Sequence, residues 1–291
     1  MSSGLVLIDK PSGWTSHDVV AKLRKIAGTK KVGHAGTLDP MATGLLLLGV
    51  NSATKLLTFL IGADKTYVAT IRLGASTITD DKESEFVELA SPQKIALVND
   101  DEISAAIKGL TGEIMQVPSS VSAIKVDGQR AYAKVRGGDE VKIAARAVTI
   151  SKFEIVGAIR HEDNFIDLDV EIDCSSGTYI RALARDLGSA LGIGGHLTAL
   201  RRTRIGIYSV DQAQQLKGLE KATVLPIAEA ARSQFATIEL TDQQVIDIRH
   251  GKRLAIQAKS DSPIAAFDSA GQLVAMLTEA GGQLRSLVVF A

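Results

Sequence analysis

The sequence predicts a chain of the α+β class that ends in a small β-rich module. Three observations carry that expectation. Residues 164–174 alternate, with Ile166, Leu168, Val170, Ile172 and Cys174 set against Asp167, Asp169, Glu171 and Asp173, as in a strand with one buried and one wet face. Val19, Val20, Leu23, Ile26 and Ala27 recur at helical spacing between Ser16 and Gly28. Near residue 235 the chain breaks into short apolar runs separated by Gly and Asp turns. With 291 residues and 45% hydrophobic content, the chain suits one large domain or two unequal ones. The expected division is a main domain at 1–234 and the module at 235–291.

The elements follow in order. The run at 5–9, LVLID, predicts a buried strand, and KPSGW (10–14) a turn-rich break. Ser16 is the expected N-cap of a helix that Gly28 ends, with Lys22 and Lys25 on its outer side. Residues 45–50 predict a strand, 52–61 a short helix, and 65–73 a strand with Tyr67, Ala69, Ile71 and Leu73 on one face. The acidic stretch 76–102 predicts a loop leading to a helix near Asp100, and 111–120 a further loop. Residues 148–159 and 164–174 pair as a hairpin. After SSG (175–177) comes a helix burying Ile180, Leu183, Ala184, Leu187, Ala190 and Leu191. The run RRTR (201–204) precedes another strand. In the tail, 240–251 predicts a small helix closed by Gly251, followed by strands around 253–257, 263–267, 272–277 and 286–290.

No run approaches the ~18 apolar residues of a membrane span. Asp9 and Lys10 interrupt the first apolar run too early for a signal peptide. Cys174, the one cysteine, excludes an internal disulfide and a cysteine-rich zinc site. The expectation is a reduced, soluble, cytoplasmic protein. Net charge is zero, but its distribution is uneven. Residues 181–204 carry five Lys/Arg against one acid, whereas 76–104 carry eight acids against two lysines. A polyanion is felt locally, so a basic face on a neutral chain can bind one.

Several motif-like stretches fail on inspection. GTKKVG (28–33) is followed by His34 rather than Lys, so it is not a phosphate loop. GIGG (192–195) lacks the strand a dinucleotide fold needs and reads as a tight turn. Ser16, His17 and Asp18 are adjacent, so their side chains diverge rather than form a triad. The five histidines hold no H-x-x-x-H pair, and no metal site is expected. There remains GHAGTLDPMATG (33–44), whose single acid is Asp39. Asp before Pro in such a loop is commonly a turn residue. Flanking glycines, however, let a substrate backbone come close. Arg181, at a helix start that itself favours anions, is a cation able to hold such an acid ionised.

These residues resemble the bacterial tRNA pseudouridine synthases of the TruB type. The likeness runs through GLVLIDKPSGWTS (4–16), GHAGTLDP (33–40), KTY (65–67), VPSSVSAIKVDGQRAY (117–132), CSSGTYIRALARDLG (174–188) and LTALRRTR (197–204). Ala35 departs from the pattern, standing where many members have threonine. The resemblance implies a pseudouridine-synthase core with a mixed, largely antiparallel central sheet flanked by helices, and a PUA-like RNA-binding domain at the end. It implies isomerisation of uridine 55 in the TΨC loop of the tRNA T-arm, by a monomer with no cofactor and no membrane. Asp39 takes the role of the catalytic aspartate, as nucleophile or as base at the ribose. Tyr67 matches the active-site tyrosine, Arg181 the arginine that pairs with the aspartate, His34 the histidine that displaces the target nucleotide, and Leu200 a pocket-lining leucine. Lys10 supports the site or the RNA. Two rival readings stay open at this point: a glycosidase, which would need a second acid, and an RNA-binding protein without catalysis.

Overall fold

Strand β1 (Gly4–Lys10) is apolar almost throughout because both its faces are covered; Leu5, Val6 and Ile8 are fully buried. The computed structural model describes residues 1–119, 143–257 and 262–290, with the backbone of 125–126 and 129–130. Most of the 117–132 motif lies outside the described residues. The chain groups into two compact units: Met1–Pro40 with Gly44–Ile61 and Ile207–Ala291, and Met41–Thr43 with Gly62–Gly206.

In the first unit, β1 leads to helix α1 (Ser16–Ala27), then to β2 (Val32–Ala35) and β3 (Thr43–Val50). Strand β3 pairs antiparallel with both β1 and β2, while Gln214–Gln215 runs parallel to β1. Val19, Val20, Leu23 and Ala27 pack against Val6, Ile8, Leu46 and Leu48, so the helical spacing does mark the buried face. The helix starts one residue earlier than expected. Thr15 is the N-cap, in a reciprocal capping box with Asp18, which leaves the Ser16 hydroxyl for another use. The stretch 52–61 is a 3₁₀ turn at Asn51–Thr54 followed by a single helical turn at Leu57–Leu60.

The second unit is built on β4 (Lys65–Leu73), helix α2 (Asp100–Gly109), β5 (Gly112–Gln116), β6 (Arg146–Ile155), β7 (Phe165–Cys174), helix α3 (Ile180–Ala190) and β8 (Gly195–Ile205). The strands lie in the order β8-β4-β7-β6-β5, every pair antiparallel. The expected hairpin is β6 and β7. Its wet face is a ladder of charge. Asp167 takes two bonds from Arg72, Asp169 pairs with Arg160 and Thr70, Glu171 with Lys152, and Asp173 with Arg204 and Thr66.

Three expectations need correction here. The stretch 76–102 is not one loop: it contains the short paired strands Ala75–Thr77 and Phe86–Leu89 and a helix at Pro92–Leu97. Strand β5 lies where a loop was expected, with Met115 exposed at the end of the strand order. RRTR does not precede a strand but lies inside β8, where Arg204 meets Asp173 of β7 and Arg202 is buried. GIGG is the tight turn expected, and it lets α3 sit very close. A Cβ on Gly188 would stand 2.1 Å from the Gly194 carbonyl carbon.

Residues 227–290 add helix α4 (Ile227–Gln234), β9 (Ala236–Glu239), α5 (Asp242–Arg249), β10 (Ile264–Phe267), β11 (Leu273–Ala280) and β12 (Gln283–Val289). The sheet order is β9-β10-β11-β12, with β9 parallel to β10. Leu240, Val245, Ile248, Ile264, Val274 and Leu277 belong to its own core. Of the run at 253–257, only Leu254 joins a strand, by a bridge to Leu284. No helix among the described residues is long and apolar enough to cross a membrane.

Candidate active site

The loop that carries Asp39 joins β2 to β3. Gly36 and Gly44 bracket it at φ +85° and +99°, backbone conformations that side chains disfavour, so these glycines serve the turn. The residues on either side of Asp39 are clamped. The buried Ser16 hydroxyl donates to the Leu38 carbonyl at 3.1 Å and accepts from the Leu38 N–H at 2.9 Å. Gly13 N–H donates to the Pro40 carbonyl at 2.8 Å. The Lys10 ammonium donates to the carbonyls of Pro11 at 3.0 Å, Trp14 at 2.6 Å and Pro40 at 3.2 Å. Lys10 is fully buried, and these bonds hold the loop from within. Asp39 itself is half-buried.

His34, on β2 opposite Leu48, meets the His17 ring edge-on with centroids 5.9 Å apart. Ser16, His17 and Asp18 thus diverge as expected: one to the loop, one to His34, one to the helix cap.

In the second unit, β4 places Tyr67 opposite Arg202 of β8 and Ile172 of β7, with Leu200 opposite Ala69. Paired residues point to the same side of a sheet, so Tyr67, Leu200 and Arg202 share a face. All three are buried. Thr43, which groups with this second unit, donates from Oγ1 to the Leu200 carbonyl and accepts from Arg201, each at 3.5 Å. Lys65, on the same face as Tyr67, is pushed down to about 8 by burial, helped by the charge of Arg202.

Arg181 is buried at the first turn of α3. It donates to the Thr79 carbonyl at 2.8 Å and pairs with Asp81 at 3.5 Å. The other Asp81 oxygen accepts from Thr79 Oγ1 and the Glu83 N–H, which fixes the carboxylate. One turn on, Arg185 pairs with Asp80 at 3.3 Å and donates to the Val117 carbonyl at 2.7 Å. Burial holds Asp80 above the usual carboxylate range. The acidic and basic segments are therefore not apart, since two buried acids of the first receive two arginines of the second. Helix α3 has no side-chain cap at Tyr179. Instead, the buried Gln116 amide bonds the Tyr179 backbone both ways, at 2.8 and 3.1 Å.

Sequence reading missed Asp81 and Gln116, took Ser16 for a helix cap, and noted Arg202 only as part of a motif. Only the doubled acid in TITDD (77–81) hinted at one of them.

The model described as TruB family pseudouridylate synthase, N-terminal domain, matches residues 24–180. Two further models, tRNA pseudouridylate synthase B C-terminal domain and tRNA Pseudouridine synthase II, C terminal, match 181–241 and 235–291. A tRNA pseudouridine synthase B from Leifsonia xyli subsp. xyli is 58% identical, across 100% of this chain and 97% of its own. One from an Arthrobacter species is 57% identical with the same coverage. A chain in the crystal structure of a Cbf5-Nop10-Gar1 complex superposes with a TM-score of 0.69 at 26% identity, over 94% of this chain and 78% of that one. A chain in an H/ACA RNP bound to a substrate RNA containing 2'-deoxyuridine gives 0.70 at 24% identity, over 99% and 85%, a likeness of fold. With a family model over more than half its length and relatives this close over all of it, the chain belongs to the TruB family of pseudouridine synthases.

Proposed function

We propose that this isomerase acts on uridine 55 in the TΨC loop of the tRNA T-arm, with Asp39 as its catalytic group. The observation that carries the assignment is the clamp. Lys10, Gly13 and Ser16 lock the backbone on both sides of one half-buried acid, which is the preorganisation a reacting carboxylate needs. The N1–C1′ bond breaks, the base turns, and a C5–C1′ bond forms. The C5 hydrogen leaves as a proton and N1 gains one, so no redox partner is consumed. A uridine stacked in a folded loop is out of reach, so the nucleotide must be flipped.

Tyr67 is assigned the ring on which the flipped base stacks, Leu200 a wall of its pocket, His34 the displacement of the nucleotide, and Arg181 the cation that the catalytic carboxylate requires. Lys10 holds the loop. Residues 235–291 are assigned to docking tRNA as a PUA-like module, in a monomer working in the cytoplasm. Support comes from the tail's own sheet and core and from relatives named for tRNA.

The test is to map pseudouridine in an unmodified tRNA transcript treated with the protein. One modified T-loop position with no free uracil is expected. Released uracil would make the protein a glycosidase, and binding without modification would make it a non-catalytic RNA binder.

A further inference from the structure

Trp14 is the only tryptophan in the chain and is 37% exposed. It stands on the turn that grips the Asp39 loop. Its carbonyl is held at 2.6 Å by the Lys10 ammonium, which also holds the Pro40 carbonyl, and Gly13 beside it donates to Pro40. Next to the indole lies a groove of about 360 Å³, lined by Gly13, Trp14, Asp18, Ala21, Lys22 and Lys25. That volume is at the small end of ligand-sized clefts. Asp18, Ala21, Lys22 and Lys25 form one stripe of α1, because residues three and four apart share a helix face. Gly13 and Ala21 are small, which leaves the stripe open between the ring and the two ammonium groups.

The one acid in the groove is already engaged. Asp18 Oδ2 accepts from the Thr15 N–H at 2.9 Å and from its hydroxyl at 2.6 Å, closing the helix cap. Those bonds hold the carboxylate below its usual range, so it is a fixed negative charge turned to the cap. Two lysines then face outward beside an accessible aromatic ring. That pairing of a π-face with cations suits a nucleobase joined to its phosphate, since bases stack on aromatics and lysines take the backbone. An apolar partner would leave both ammonium groups unpaired, and an acidic peptide would make no use of the indole face.

We infer that this groove is a second RNA contact, in which an unpaired loop nucleotide near the reacting uridine stacks on Trp14 with its phosphate between Lys22 and Lys25. The inference rests on the reading that the substrate is a tRNA T-arm, and it adds a contact to that reading. The turn ties the stacking platform to the catalytic loop through one shared ammonium, so a nucleotide seated on Trp14 registers its neighbour against Asp39.

The experiment uses the full chain and a T-arm hairpin. As the sole indole, Trp14 reports directly. Its fluorescence is expected to quench as the hairpin is added, saturating at the concentration where filter binding saturates. Trp14→Ala should raise KM about tenfold, with kcat at saturating RNA changed less than twofold. Trp14→Phe should recover most of that loss, because a ring remains and the clamp uses only the backbone carbonyl. The double variant Lys22→Ala/Lys25→Ala should flatten the log–log salt slope by about 0.7–0.9 for each phosphate it no longer neutralises. An indole indifferent to saturating hairpin would overturn the proposal. So would a double-lysine variant with the KM and salt slope of wild type. If pseudouridine forms while the indole stays silent, the groove fails and the function stands. If the indole is quenched but no pseudouridine forms, the function fails and the groove remains an RNA contact.

Discussion

Lys10 and Lys65 are both buried lysines with different surroundings. Three carbonyls surround the Lys10 ammonium and repay its desolvation. Lys65 lies beside the buried Arg202 and is pushed down to about 8 by burial and by that like charge. In the unfolded chain a lysine titrates near 10.5. Between about 8 and 10.5 the folded state therefore binds fewer protons than the unfolded one, and this group's contribution to stability rises with pH. Below pH 8 the cost is fully present. Lys65→Met removes the cost, so its stability relative to wild type should be most favourable at pH 7. That advantage should shrink by about 3 kcal/mol on approaching pH 10.5. Urea unfolding of both proteins at several pH values measures it; a difference that does not change with pH would contradict it. Residue type alone conceals such roles. Asp39 stands out in the sequence as the one acid of a glycine-rich loop. Asp81 and Gln116 look like ordinary surface residues, and Ser16 like a helix cap, until burial shows what each one holds.

Strand β7 could be read from the sequence because apolar residues alternate with acids from Ile166 to Cys174. Strand β8 was half hidden, because three arginines break its apolar pattern: Arg204 meets Asp173 of β7, Arg201 bonds Thr43, and Arg202 is buried. Strand β5 was hidden for a different reason: at the end of the strand order it buries little and alternates weakly. The ladder and the buried face should differ sharply in worth. Leu168, fully buried, should cost about 2–5 kcal/mol when replaced by Ala. Arg160, over a third exposed in its pair with Asp169, should cost less than about 1 kcal/mol on the same change. Denaturant titrations of the two variants decide between the faces. A larger loss from Arg160→Ala would mean that the ladder, not the apolar layer, holds β7 in place.

The sheet at the end of the chain was partly visible in the sequence. Turn-separated apolar runs announced the terminal sheet, but α4 and the parallel strand β9 carried no such signal. Side chains outside the sheet tie it to the rest of its unit. Arg232 of α4 lies 3.8 Å over the Phe267 ring, and Lys55 donates to the Val289 carbonyl. Removing 235–291 should therefore lower the melting temperature as well as remove the tRNA docking proposed for it. A T-arm hairpin separates the two effects. KM should rise for whole tRNA, while single-turnover chemistry on the hairpin stays near wild type. Equal damage on both substrates would make the tail a cover for the core and nothing more. The chemistry itself is tested most directly on a tRNA transcript carrying tritium at uridine C5, in single turnover, with wild type and Asp39→Asn side by side. Wild type should release the tritium of one T-loop uridine per tRNA, while Asp39→Asn binds within a few-fold of wild type and releases none. Release by Asp39→Asn at a rate near wild type would contradict the assignment of Asp39 as the reacting group.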